Sequence, residues 1–397
     1  MKKLLPFMKR YKKYAILCPI FMILEVVADI IIPYLMSLIV DVGIAGRDIN
    51  YVVKVGIIMI LAALFGMVMG VMSSHYGAKA GYGFAAEIRK ATFKKIQSFS
   101  YANLDKFSVS SLITRLTNDC NTLGQVAMMT LRMAVRAPFM MIFALIMALR
   151  INASLAGVFM VSIPVMAVLM IIIMTKARPL FIKMQSRVDR VNAIIQENLT
   201  GIRVVKSFNR QSYEGKRFSE RNDSLRDTAL NAMSKVIMIG PVMNIVTYST
   251  IIAVLWFGGK QVVAGSMGTG ELISFVTYIN QILMSLMMLS MFFMQMLRGM
   301  ASASRINEVL ETDSEINEIS NPVMNMKDGS VKFNNVSFVY PFNSEEVLKN
   351  INVEIESGET VGIIGSTGSS KSTLVQLIPR LYDVTRGELK VGGTDVR

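Results

Sequence analysis

Six stretches of the chain are rich in apolar residues and long enough to cross a bilayer: approximately 15–40, 55–76, 126–149, 155–175, 237–257 and 271–297. A helix needs about 20 apolar residues to span ~30 Å of hydrocarbon, so each stretch predicts a transmembrane helix. The connections between them alternate in length. Those at 41–54, 150–154 and 258–270 are short, whereas 77–125 and 175–235 are long, polar and patterned as helices. In the second long connection Val188, Val191, Ile195, Leu199, Ile202 and Val205 recur at three- and four-residue spacing. That period predicts a helix running on from the span. At ~1.5 Å per residue, about thirty such residues reach ~45 Å beyond the membrane.

The pattern changes after about Ser304. Residues 305–330 are polar, with turn signals at Asn321-Pro322 and Asp328-Gly329. From Val331 the chain reads as strands, VKFNNVSFVY, VLKNINVEI and TVGIIG, followed by helix-like STLVQLIPRLY and strand-like GELKVGG. Strand, Gly-rich loop and helix in that order open an α/β nucleotide-binding domain. The expected fold is an α-helical membrane protein with six transmembrane helices and long cytosolic helical extensions, followed by the N-terminal part of an α/β P-loop domain. The expected boundaries are 1–316 for the membrane domain, 317–330 for a linker and 331–397 for the partial nucleotide-binding domain.

Composition agrees with this division. Of 397 residues 52% are hydrophobic and only 18% charged, with a mean hydropathy of +0.46. Soluble domains carry about 25% charged residues, and disordered chains lack this apolar content. The net charge of +14 raises either nucleic acid or an anionic membrane surface, and its distribution decides. The N-terminal tail and the two long connections hold 26 of the 42 Lys and Arg; the short connections hold Arg47, Lys54, Arg150 and Lys260. The positive-inside rule therefore predicts cytosolic termini and cytosolic long connections in a multi-pass plasma-membrane protein, and nucleic-acid binding loses its support. The basic N-terminus and the apolar run after it lack an A-x-A cleavage site, so they read as an uncleaved anchor. Cys18 and Cys120 lie far apart and His75 is the only histidine. A disulfide framework, a His-based metal site and a Ser-His-Asp triad within these residues are thereby excluded.

The strongest candidate chemistry is Gly365-Ser366-Thr367-Gly368-Ser369-Ser370-Lys371-Ser372-Thr373, placed between the expected strand Val361–Ile364 and a helix. In that context backbone N–H groups surround phosphate oxygens, Lys371 reaches the β and γ phosphates of ATP, and Ser372 ligates Mg²⁺. One position departs from the pattern: the residue before Lys371 is Ser370 instead of Gly. If it needs a positive φ, its Cβ costs about 1–2 kcal/mol. The similar-looking Gly265–Gly270 follows no strand and is a decoy.

Six spans, two long cytosolic connections and this loop together resemble a half-transporter of the ATP-binding cassette (ABC) exporter family. FAAEIRKATFKKIQSFSYANLDKF with LITRLTND is similar to the family's first cytosolic loop, QENLTGIRVVKSFNRQSYEGKRF to its second, and ASASRINEVLE to the stretch leaving the last span. Residues from VSFVYPFN to GELKVGG resemble the start of the cassette, through Walker A. The resemblance implies that Tyr340, 25 residues before Gly365, stacks on adenine. It also implies that segments around Asp105–Ser111 and Gln211–Lys216 dock on cassettes, and that a second half completes a dimer exporting hydrophobic drugs or lipids. The family's Q-loop glutamine, signature, Walker B and switch histidine do not follow Lys371 in these residues. The expectation is a cassette interrupted after Walker A, with no hydrolytic centre of its own. The alternative is an inactive half or a non-hydrolytic membrane scaffold.

Polar and soft residues within the spans are the substrate candidates. Glu25 and Asp29 share one helix face at i, i+4. Intramembrane acids read either as contacts for a cationic substrate or proton, or as partners of basic neighbours such as Arg132 or Arg136. Arg136 is expected to snorkel to the cytosolic interface, and Pro33 to kink the first span. In the last span Met284, Met287, Met288, Met291 and Met294 make a stripe, read either as a cavity for varied hydrophobic ligands or as helix–helix filler. Gly66 and Gly70 form a G-x-x-x-G pair, which predicts close helix packing.

Overall fold

The computed structural model describes residues 2–397 except 317–322, 324 and 342, so most of the proposed linker's first half lies outside the described residues. Long helices dominate, because in hydrocarbon a helix satisfies its backbone N–H and C=O groups internally. A short 3₁₀ helix, Lys2–Tyr11, precedes α1 (Lys12–Leu38), α2 (Ile49–Gln97), α3 (Tyr101–Lys106), α4 (Val109–Thr114), α5 (Cys120–Ile151) and α6 (Ala153–Thr200). Then come α7 (Ile202–Ser207), α8 (Gln211–Ile237), α9 (Ile239–Val263) and α10 (Thr269–Glu311). Among the described residues six helical rods are long and apolar enough to cross a membrane, and each contains one predicted span.

The long connections are helical extensions, as their periodicity predicts: α2 and α6 run unbroken for 49 and 48 residues. The buried stripe of α6 differs in detail from the predicted one. Val191 and Ile194 are buried, while Ile195 and Leu199 are exposed, because the face carrying Asn198 turns toward α8, where Asn198 Nδ2 donates to Glu214 Oε2 at 2.9 Å. Short helices interrupt both connections. Ser100 caps α3 in a reciprocal exchange with Asn103, and Ser108 caps α4 through the N–H of Ser111 at 3.3 Å. Asn209 at φ 51° separates α7 from α8. Asp105–Ser111 thus spans the α3–α4 break, but Gln211–Lys216 falls in the first turns of α8, and the short helix of the second connection is α7, just upstream.

The chain packs into two compact units, neither contiguous in sequence. One unit holds residues 18–74 and 132–292. Its core gathers Phe159, Met166, Phe275, Tyr278, Ile279 and Ile282. Here the Asp41 carboxylate accepts the N–H groups of Gly270 at 2.7 Å and Glu271 at 2.9 Å, satisfying two donors that the first turn of α10 cannot use. Gly66 and Gly70 do pack closely: a Cβ at Gly66 would stand 3.1 Å from that of Ala28, and one at Gly70 would stand 3.0 Å from the Glu25 carboxyl.

The other unit holds residues 1–17, 75–131 and 293–397. Leu4 is buried with Phe84, Ile88, Leu123 and Ile306. Asp119 accepts from both Arg305 and Ser302, while Arg115 donates to Glu308 at 2.8 Å. Within this unit β1 (Val331–Phe338), β2 (Leu348–Ile355), β3 (Arg386–Val391) and β4 (Thr394–Asp395) form an antiparallel sheet of order β2-β1-β3-β4. The helix α11 (Lys371–Leu377) buries Leu377 against Phe333, Val336, Phe338 and Leu389. One predicted strand is not formed. Residues 361–364 carry no ladder, and Ile364 is 98% exposed. A strand exists only with a neighbour to pair its N–H and C=O groups, and among the described residues none runs beside it.

Candidate functional site

The residues 365–373 form a compact loop leading into α11. Gly365 lets Ser369 pack close: a Cβ there would stand 2.5 Å from Ser369 Oγ and displace that hydroxyl. Ser369 N–H donates to Ser366 O at 3.2 Å, and Gly368 turns the chain at φ 89°. Lys371 Nζ donates to Gly365 O and Ser366 O, both at 2.8 Å, and to Ser369 Oγ at 3.1 Å. Its charge rests on neutral oxygens of the loop itself, and among the described residues no carboxylate pairs with it. Ser370 adopts φ 64°, ψ 20°, the left-handed conformation that favours glycine. The condition attached to the departure at this position is therefore met, and its side chain costs about 1 kcal/mol or more there.

The aromatic candidate comes to the same place. Tyr340 Oη and Thr373 Oγ1 lie 3.0 Å apart, which ties the end of β1 to the first turn of α11. Ser372 is exposed beside Lys371, so its hydroxyl is available to a cation. Of the predicted nucleotide residues, Tyr340, Gly365, Ser366, Thr367, Gly368, Ser369, Ser370, Lys371, Ser372 and Thr373 all fall within this one neighbourhood.

A joint between α3 and the sheet falls at Asp105, in one of the segments expected to dock on a cassette. Tyr382 packs edge-on against Tyr340 with centroids 5.3 Å apart, lies 6.0 Å from the ring of Tyr101 on α3, and donates its hydroxyl to Asp105 Oδ2 at 2.8 Å. Burial, and then the hydrogen bond to Asp105, push the Tyr382 hydroxyl well above the ordinary tyrosine range. The LDK and RLYD segments lie far apart in sequence, and nothing in either one marks the other as its partner.

In the membrane unit the two acids face a base. Arg136 reaches Glu25 through one terminal nitrogen and Asp29 Oδ2 at 2.7 Å through the other. The expected snorkelling of Arg136 is thereby corrected: its guanidinium stays at the depth of Glu25 because two carboxylates hold it there. Pro33 lacks the N–H that would bond the Asp29 carbonyl, and Gln281 Nε2 on α10 takes that place at 3.2 Å. Gln281 was not singled out in the sequence, although an amide in an apolar span is the signal for such a role. On α10 the methionines divide. Met287 packs against the core, whereas Met284, Met288 and Met291 stand exposed, Met284 at 64%. Among the described residues no group of three His, Cys, Asp or Glu is arranged to hold a metal ion.

The comparisons with known proteins agree with this geometry. The ABC transporter transmembrane region matches residues 15–286, and the ABC transporter ATPase domain matches residues 348–397. An uncharacterized ABC transporter ATP-binding protein of Bacillus subtilis is 36% identical over 391 residues, covering 98% of this chain and 68% of its own length. A fatty acid ABC transporter ATP-binding/permease protein of Mycobacterium tuberculosis is 30% identical over 302 residues, 76% of this chain and 48% of the relative. An ATP-dependent lipid A-core flippase of Syntrophus aciditrophicus is 28% identical over 318 residues, 80% of this chain and 53% of the relative. The six spans and the phosphate loop fall inside these matches, and the chain belongs to the ABC transporter family, carrying its transmembrane region and the first part of its ATP-binding domain.

Proposed function

We propose that the chain is one half of a dimeric ABC exporter that uses ATP and Mg²⁺ to move hydrophobic compounds, drugs or lipids, out across the plasma membrane, with both termini cytosolic. The observation that carries this reading is the union of six spans with a phosphate loop whose lysine rests on neutral oxygens, free to transfer to a phosphate. Lys371 and the loop N–H groups would hold the phosphates, Ser372 the Mg²⁺ and Tyr340 the adenine. Met284, Met288 and Met291 offer an adaptable apolar surface that nothing else in the membrane unit covers, and the names of the lipid-handling relatives support substrates of that kind. Hydrolysis needs groups that do not occur among these 397 residues, so these residues alone bind nucleotide without turning it over, and turnover belongs to the assembled exporter. A scaffold without nucleotide chemistry is the competing reading.

Inside-out vesicles carrying the assembled exporter should take up a hydrophobic fluorescent dye on addition of ATP and lose that uptake on Lys371→Ala. Uptake indifferent to ATP and to Lys371 would leave the scaffold.

A further inference from the structure

Within the membrane unit, Glu25, Asp29 and Arg132 border a cavity of about 540 Å³ whose lining also includes Ala63, Met67, Val71 and Ser74 of α2. Arg136 is paired with Glu25 and Asp29, but two other polar groups have no such partner. Arg132 makes no ion pair among the described residues, and its Nε is buried without a hydrogen-bond partner. Glu25 gives one oxygen to Arg136, and its second oxygen, Oε2, is buried and unpartnered. Arg132 precedes Arg136 by one helical turn on the same face of α5. The backbones of the two arginines thus stand roughly 6 Å apart along the helix. Unmatched charges at such depth in a bilayer are costly and mark functional positions.

The two acids and two arginines sum to zero charge. A purely anionic or purely cationic ligand would upset that balance, whereas a ligand carrying both signs keeps it and pairs both unmatched groups. The apolar wall of Ala63, Met67 and Val71 suits a hydrocarbon chain. We propose that this cavity binds the zwitterionic head of an amphiphile, with its ammonium against Glu25, its phosphate or carboxylate on Arg132, and its chain along α2. The inference rests on the exporter reading and narrows its substrate to zwitterionic amphiphiles.

The test is equilibrium binding to the full chain in an uncharged maltoside detergent, using probes with one palmitoyl chain. Lysophosphatidylethanolamine should bind about tenfold more tightly than lysophosphatidic acid or monopalmitoylglycerol. Arg132→Gln should erase that preference and Arg132→Lys keep most of it, with unchanged helicity by circular dichroism in both. Glu25→Gln should bring the zwitterion down to the level of lysophosphatidic acid. Nε-palmitoyl-lysine distinguishes the sources: binding as tight as the phosphate probe assigns the anion to either chemistry, and weaker binding assigns it to phosphate. Equal binding of the neutral probe, or a preference that survives Arg132→Gln, overturns the proposal. ATP-driven dye uptake that persists alongside such a result would leave the exporter reading standing, while zwitterion binding without any ATP-driven uptake would remove the exporter and keep the site.

Discussion

Two cations in this protein are held by its own oxygens, and the difference between them separates a binding site from a structural one. Lys371 lies at the start of α11 on two carbonyls and a hydroxyl. Arg136 lies among the spans on two carboxylates, partly buried. Neutral oxygens are exchanged for a phosphate at little cost, because an anionic oxygen attracts the ammonium more strongly than a carbonyl dipole does. Carboxylates in a low dielectric are not released without leaving buried charges behind. The same fold therefore keeps one cation ready to transfer and the other fixed.

The largest effect that can break this contrast is expected at Arg136. Arg136→Ala leaves two acids unpaired and should cost about 3 kcal/mol or more, read by unfolding in detergent. Adding Glu25→Gln and Asp29→Asn should recover most of the loss; no recovery would mean that Arg136 acts by packing alone. A smaller effect is expected at the joint between α3 and the sheet. Tyr382→Phe removes a hydrogen bond to a carboxylate, worth about 1.5 kcal/mol. Since folding raises the Tyr382 pKa, its contribution is complete below about pH 10 and declines as the pH rises further. The wild type should therefore lose stability in alkali more steeply than Tyr382→Phe, and parallel pH profiles would remove Asp105–Tyr382 from the account. The smallest effect belongs to Ser370→Gly. Relief of the left-handed strain, already present without nucleotide, should stabilise the fold by about 1 kcal/mol, read by unfolding in detergent; no gain would remove the strain at this position from the account.

The sequence made the spans legible because lipid imposes one rule on every turn of helix: apolar side chains and internally paired backbone. It made the phosphate loop legible because that site is local, nine consecutive residues whose spacing is the chemistry. Contacts between distant segments were not legible. Arg136 was read both as a partner of Glu25 and Asp29 and as an interfacial side chain, since nothing in sequence orients its helix face; the structure takes the first. Gln281 answers a carbonyl freed by Pro33 some 250 residues earlier, and Tyr382 finds Asp105 across a similar distance. The segment 361–364 failed for the opposite reason: its strand pattern is clear, but pairing needs a neighbour that the pattern does not supply.

The most direct test of the central claim is saturable binding of a fluorescent ATP analogue, with Mg²⁺, to the full chain in nanodiscs. The account predicts competition by ATP and a loss of about tenfold or more in affinity on Lys371→Ala, with the helical signal unchanged. Binding that is equally tight in Lys371→Ala, or no saturable binding by the wild type, would contradict it.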